Sequence, residues 1–156
     1  MSRLFVLVGV PAAGKSTWVK DQKWAKDCSY VSTDMWVEME AERQGKTYSE
    51  VFAEYMPHAL QLMTNQVLLA REKRMDIIWD QTSTTVSTRA KKIRMLPDYY
   101  KIAVVFKTPP TSELKRRLES RPGKNIPWEI VSDMAQKLEA EPPSEEEGFD
   151  EIWYAS

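Results

Sequence analysis

The sequence is poor in the residues that mark several large classes of protein. It has one cysteine, Cys28, and one histidine, His58, among 156 residues. A single thiol forms no internal disulfide, which fits a reducing, cytoplasmic setting. With no Cys/His cluster at ligand spacing, a zinc-stabilised fold is excluded. Neither sign of charge is in excess: 22 Lys and Arg stand against 23 Asp and Glu, a net charge of −1. That excludes a uniformly basic nucleic-acid coat but leaves room for a local basic groove. Long apolar runs are missing too. The run Leu4 to Val8 is too short to span a bilayer. It also lacks the charged start and cleavage site of a secretory signal. No internal repeat is evident. The one biased stretch, Glu139 to Glu147, is acidic with two prolines and reads as an exposed loop. His58, beside Pro57 in a helical region, reads as structural.

What is present suits one domain, residues 1–156, with 42% hydrophobic residues to build its core. Leu4-Phe5-Val6-Leu7-Val8 is apolar throughout, as a central parallel strand covered on both faces must be. A glycine-bearing turn follows, then a helix over Lys15 to Lys26. Tyr30 to Ser32 is a short second strand, with a helix beginning near Met35. Ser49 to Arg74 has helical spacing, with Val51, Tyr55, Leu62 and Leu69 near one face, and Pro57 is expected to kink or split it. Asp76 to Asp80 is a third strand, Ser87 to Leu96 a short basic helix and Ile102 to Phe106 a fourth strand. A helix over Thr111 to Ser120, with Thr111 or Ser112 as its cap, precedes the loop Arg121 to Asn125. Pro127 opens another helix to about Ala140, and Phe149 to Tyr154 is a last strand. Strands alternating with helices predict an α/β fold, a parallel sheet between two helical layers.

Chemistry enters with Gly9-Val10-Pro11-Ala12-Ala13-Gly14-Lys15-Ser16, which fits G-x-x-x-x-G-K-[ST] between an apolar strand and a helix. In that context the backbone N–H groups of the loop, with Thr17 just beyond it, face phosphate oxygens at a helix N-terminus. Lys15 is expected to reach the β- and γ-phosphates of ATP, and Ser16 to ligate Mg²⁺. Asp80 ends the third strand, where an acid can hold the same Mg²⁺ directly or through water; the alternative is a turn or helix cap. Asp34 follows the second strand, at the carboxyl edge where ligands collect in such sheets. There a carboxylate can take the proton of an attacking hydroxyl, or it can cap the helix that follows. Arg116, Arg117, Arg121 and Lys124 surround a Pro-Gly loop. Arginines on a closing lid neutralise a moving phosphoryl group, and Arg121, next to the loop, is the best placed. Arg116 reads as surface. Arg89, Lys91, Lys92 and Arg94 form either a phosphate-contacting face or an ordinary wet one. Trp36, two residues beyond Asp34, is positioned to stack on a base.

These motifs together resemble the kinase domain of 5′-hydroxyl polynucleotide kinases, of the bacteriophage and animal DNA-repair types. The resemblance runs through the P-loop Gly9 to Thr17 with Trp18, and Ser32-Thr33-Asp34, which is similar to the segment ending in the family's general-base aspartate. It continues through Asp80-Gln81-Thr82, the lid residues Arg117, Arg121, Gly123 and Pro127, and Leu138 to Pro143 with Glu147-Gly148-Phe149. It implies a three-layer α/β/α fold with five parallel strands in the order 2-3-1-4-5 and a small helical lid at about residues 114–128. It also implies ATP and Mg²⁺ as cofactors, Asp34 as base, and Lys15, Arg117 and Arg121 as charge stabilisers. The implied partner is a nucleic-acid substrate, with no membrane and no protein partner, in the cytoplasm (the host's, if phage-encoded). One position departs. Where the phage enzymes carry an arginine three residues after the base, this chain has Val37. That leaves three acceptors: a 5′-hydroxyl end of DNA or RNA, 5-hydroxymethyluracil within DNA as in phage base-modification kinases, or a small molecule. A nucleotide-binding switch that transfers nothing is the non-enzymatic alternative.

Overall fold

The computed structural model describes residues 1–155. Five parallel strands form one sheet: β1 (Arg3–Val8), β2 (Ser29–Val31), β3 (Ile77–Asp80), β4 (Tyr100–Phe106) and β5 (Glu151–Ala155). Their order is β2-β3-β1-β4-β5. β1 lies between β3 and β4, with Leu7 beside Asp80 on one flank and Val104 on the other. Leu4 through Val8 are wholly buried, which is why that run carries no polar alternation.

The side-chain period of two sorts β1 between two cores. Leu4, Val6 and Val8 face Met63, Val67, Ala70 and Leu96 on one side of the sheet. Phe5 and Leu7 face Trp18, Val19 and Trp24 on the other. Each fully buried Leu or Phe contributes roughly 1.5–3 kcal/mol, so the paired helical layers follow from this strand. The helices are α1 (Lys15–Asp21), α2 (Thr33–Gln44), α3 (Tyr48–Glu72), α4 (Val86–Met95), α5 (Thr111–Glu119) and α6 (Trp128–Ala140). The result is the expected three-layer α/β/α fold, with its five parallel strands in the order 2-3-1-4-5.

Several boundaries differ from the sequence expectation. α1 ends at Asp21 because Gln22 is extended, and a 3₁₀ turn over Lys23–Asp27 brings Trp24 onto Phe5, ring centroids 4.6 Å apart. α3 is one continuous helix of 25 residues through Pro57. Pro57 and Ala53 are on its exposed face, where the carbonyl freed by the missing N–H can turn to water. Val51 is buried as expected, but Leu69 is exposed, and the buried stripe runs on through Ala59, Met63, Val67 and Ala70. Pro110 and Pro127, not Thr111 or Ser112, stand at the caps of α5 and α6, whose first helical residues are Thr111 and Trp128.

The basic helix is corrected most. Arg89 is wholly buried and Lys92 nearly so, which leaves Lys91 and Arg94 exposed. The Arg89 guanidinium meets Glu147, Nε to Oε1 at 2.6 Å, and donates from Nη1 to the Ser83 carbonyl at 3.0 Å and from Nη2 to the Glu141 carbonyl at 2.7 Å. The acidic stretch is therefore not a free loop throughout. Glu139 ends inside α6, and Glu147 closes a buried ion pair. Among the described residues no helix is long and apolar enough to cross a membrane.

Candidate active site

Four segments meet at the carboxyl edge of the sheet. The first is the turn after β1. Gly9 has no room for a side chain: a Cβ there would lie 2.9 Å from Phe106 Cβ. Its N–H donates to the Thr82 carbonyl at 3.0 Å, which ties this turn to the loop after β3. Ala12 has φ 66° and Gly14 φ 101°, left-handed values that bend Pro11 to Gly14 into the start of α1. Lys15, the first residue of α1, folds back, its Nζ donating to the Gly9 and Val10 carbonyls at 2.8 and 2.9 Å. Ser16 and Thr17 are exposed beside it.

Burial pushes the Lys15 ammonium down to about 8, against the opposing pull of Asp80 and Asp34; Arg121 and Lys124 lower it further. These charges place the expected residues around one centre. Asp80, at the end of β3, is half-buried, and desolvation raises its carboxyl while Lys15 and the Tyr30 hydroxyl hold it down. Tyr30, on β2, donates a hydrogen bond to Asp80 Oδ2. Burial and the two neighbouring carboxylates, Asp80 and Asp34, push the Tyr30 hydroxyl far up, so it remains a donor.

Asp34 is not a cap. Ser32 occupies the cap position of α2, and Asp34 is the second helical residue, half exposed. Its Oδ1 accepts the Tyr48 hydroxyl at 2.6 Å, and its Oδ2 lies 3.6 Å from Lys124 Nζ. Burial first, and then Asp34, push the Tyr48 hydroxyl well up. Sequence reasoning missed Tyr30 and Tyr48 and left Lys124 without a role. The signal for Tyr48 was available: Thr47-x-x-Glu50 is a capping box, realised by Glu50 N–H to Thr47 Oγ1 at 3.2 Å and Thr47 N–H to Glu50 Oε1 at 2.9 Å. It fixes Tyr48 as the first residue of α3, facing α2.

The segment 120–127 closes the group. Arg117, on α5, donates from Nη1 to the Ala12 carbonyl at 3.1 Å and from Nε to Glu113 at 2.9 Å, so it braces the strained residue of the turn. Arg121 has a buried Nη1 without a partner among the described residues. It is near enough to depress Lys15, so an N–H of this cation is left free close to the centre. Among the described residues Arg116 pairs with Glu113 at the surface, as expected. A cavity of about 460 Å³ opens beside the centre, between α2 and this segment, lined by Glu38, Glu42, Lys46, Tyr48 and Gly123.

Trp36 is partly buried against the α2–α3 core around Val37, Ala41 and Val51. Val37 is itself wholly buried in that core. Among the described residues no group of three His, Cys, Asp or Glu side chains converges. The hard oxygen donors Ser16 and Asp80 suit Mg²⁺, which would take its other ligands from phosphate and water.

A family model described as an AAA domain matches residues 4–141. A chain in the structure of the Pnkp1/Rnl/Hen1 RNA repair complex is 21% identical with a TM-score of 0.69. The match covers 89% of this chain but 44% of that one, so this chain spans less than half its length. A proposed kinase from Chloroflexus aurantiacus J-10-fl is 16% identical with a TM-score of 0.73, over 99% of this chain and 87% of that one. Shikimate kinase from Bacteroides thetaiotaomicron is 20% identical with a TM-score of 0.55, over 98% and 86%. At these identities the likeness is one of fold.

Proposed function

The chain belongs to the AAA domain family, and from that premise we propose that it is an ATP-dependent kinase acting on a hydroxyl of a nucleic acid, with the 5′-hydroxyl end of DNA or RNA as the leading acceptor. One observation carries the reading: Lys15 folds back over the Gly9–Ser16 turn, where the charges of Asp80, Asp34 and Arg121 all reach it. An empty strand–helix turn needs neither the two carboxylates nor a guanidinium whose buried Nη1 has no partner among the described residues.

In this reading the phosphates lie along the N–H groups of Gly9 to Thr17. Lys15 leaves the Gly9 and Val10 carbonyls for the β- and γ-phosphates. Ser16 and Asp80 would hold Mg²⁺, which would supply neutralising charge. The acceptor oxygen bonds to the γ-phosphorus as the β–γ bridging P–O bond breaks. ADP leaves, and the acceptor proton passes to Asp34. Arg121 turns its unpaired N–H to the equatorial oxygens, and Arg117 holds the Ala12 carbonyl so that the turn keeps its shape. Such catalysis is positioning plus electrostatics. The acceptor class is supported by the sequence resemblance and by the likeness to a chain of an RNA repair complex.

A second acceptor is favoured by Val37. Where the resembling phage enzymes offer an arginine to the acceptor's phosphate, this chain has a side chain sealed in the α2–α3 core. A base hydroxymethyl, flipped out of DNA, needs no such arginine. The test uses γ-labelled ATP with Mg²⁺ and three acceptors: 5′-hydroxyl oligonucleotides, end-phosphorylated DNA carrying 5-hydroxymethyluracil, and a set of sugars and nucleosides. Label on the 5′-hydroxyl ends supports the leading acceptor. Label only on the modified DNA moves it to the base, and label only on a small molecule refutes the nucleic-acid reading. Asp34→Asn should keep ATP binding and lose most transfer. Hydrolysis alone would leave a nucleotide switch.

A further inference from the structure

Asp34 is held by two other parts of the chain, and one of them belongs to the segment over the turn. Tyr48, in the first turn of α3, donates to its Oδ1 at 2.6 Å. Lys124 brings Nζ within 3.6 Å of its Oδ2, 2.5 Å of Glu38 Oε1 and 4.5 Å of the Tyr48 ring centroid. The Lys124 side chain is 13% exposed, whereas Asp34 and Glu38 are about half exposed. An ammonium so covered, over an aromatic face and between two carboxylates, is docked and not swinging free.

The docking is made by backbone. Ser49 N–H donates to the Gly123 carbonyl at 2.9 Å, and Asn125 N–H to Ser49 Oγ at 2.8 Å. Gly123 lies at φ +72°, and a Cβ there would come within 2.9 Å of Thr47 Cβ. The segment therefore approaches the start of α3 as closely as a glycine allows. Lys124 follows that glycine directly, so its position at Asp34 depends on the approach.

Resting on the reading of Asp34 as the base, we propose that Lys124, with Tyr48, is a positioning residue: docking of segment 120–127 against the start of α3 fixes the Asp34 carboxylate. Closing the segment and assembling the base are then one event. A carboxylate on an exposed helical turn samples several rotamers. A hydroxyl donor on one oxygen and an ammonium 3.6 Å from the other narrow these and leave lone pairs to aim the acceptor hydroxyl. An undocked segment leaves the carboxylate unheld, which restrains reaction with stray water.

The test measures ADP release with a 5′-hydroxyl DNA oligonucleotide present, which counts transfer to DNA and to water alike. Losing a hydrogen bond or a close ion pair that holds a carboxylate maps to about 10- to 100-fold in rate. Lys124→Met and Tyr48→Phe should each lower kcat by that factor while the KM for ATP changes less than about threefold, and Lys124→Arg should recover most of the loss. The double variant should be little worse than either single one, because both act through one carboxylate. Gly123→Ala should reproduce the loss with Lys124 intact. Independently of activity, Lys124 should be slow to acetylate in the wild type and faster in Tyr48→Phe and Gly123→Ala. Wild-type kcat in Lys124→Met, a loss expressed only in the KM for ATP, or equal Lys124 reactivity in all proteins would overturn the proposal. If Asp34→Asn turns over normally, the base reading itself falls; if Asp34→Asn fails and Lys124→Met does not, only this proposal falls.

Discussion

Replacing Arg89 by methionine should be among the most damaging single changes in the chain, although Arg89 touches no reacting group. Its guanidinium is wholly buried and makes four hydrogen bonds, two to Glu147 and one each to the carbonyls of Ser83 and Glu141. Methionine keeps the apolar stem and removes all four. Glu147, whose side chain is 9% exposed, then keeps only the Ser144 N–H at 3.0 Å. Breaking a buried pair by removing one partner costs about 3–5 kcal/mol, because the other charge stays desolvated. At about 2–4 °C per kcal/mol for a chain of this size, Tm should fall by roughly 6–20 °C. Urea unfolding followed by tryptophan fluorescence measures the free energy directly. The double variant Arg89→Met/Glu147→Leu, which removes both charges, should recover at least half of the loss. There is a second readout. Ser83 adjoins Thr82, whose carbonyl receives the Gly9 N–H at 3.0 Å. Nucleotide affinity should therefore weaken under conditions where the variant is still folded. A cost below about 1 kcal/mol would refute the reasoning, since it would mean that water reaches the site or that the pair contributes nothing.

Two further outcomes follow from the turn itself. Gly9→Ala forces a methyl to within 2.9 Å of Phe106 Cβ at the end of a buried strand. It should cost about 1–3 kcal/mol by overpacking and lower nucleotide affinity, both read from melts with and without ATP. Lys15 is held down to about 8 by burial. In the folded state without nucleotide it therefore binds fewer protons than the unfolded chain from about pH 8 up to its ordinary value of 10.5. Its contribution to stability is unfavourable below that window and is relieved as pH rises through it. ATP restores the ammonium, so nucleotide affinity should fall by up to about tenfold per pH unit above 8, with proton uptake on binding seen by calorimetry in two buffers. Affinity flat from pH 7 to 9.5 would contradict this.

The parts of the fold legible in the sequence were those where one signal had no competitor. Leu4 to Val8 is apolar because both its faces are covered, and the glycine spacing after it has a single structural use. The order of the strands came from family resemblance, since periodicity does not encode which strand sits beside which. Where local signals competed with packing, packing won. Helical propensity carries α1 no further than Asp21, because Trp24 is drawn onto Phe5. Pro57 fails to break α3 because its effect falls on the wet face. Arg89 and Lys92 look like surface from their charge, yet Arg89 has a carboxylate 58 residues later that lets it be buried. The supports of the centre were hidden for a similar reason. Tyr48 and Tyr30 meet their carboxylates across 14 and 50 residues. Nothing in a tyrosine's identity announces an aspartate that distant.

The Arg89–Glu147 pair also has a meaning in time. A ribosome releasing about 5–20 residues per second needs roughly 3–12 seconds to make the 58 residues between them. Until Glu147 emerges, Arg89 carries a charge with no buried partner, and the interior position it takes in the finished protein is unfavourable. The loop after β3, which receives the Gly9 N–H, stays without its anchor over that interval. A growing chain thus has the whole Gly9–Ser16 motif in its sequence long before it can hold the motif in shape.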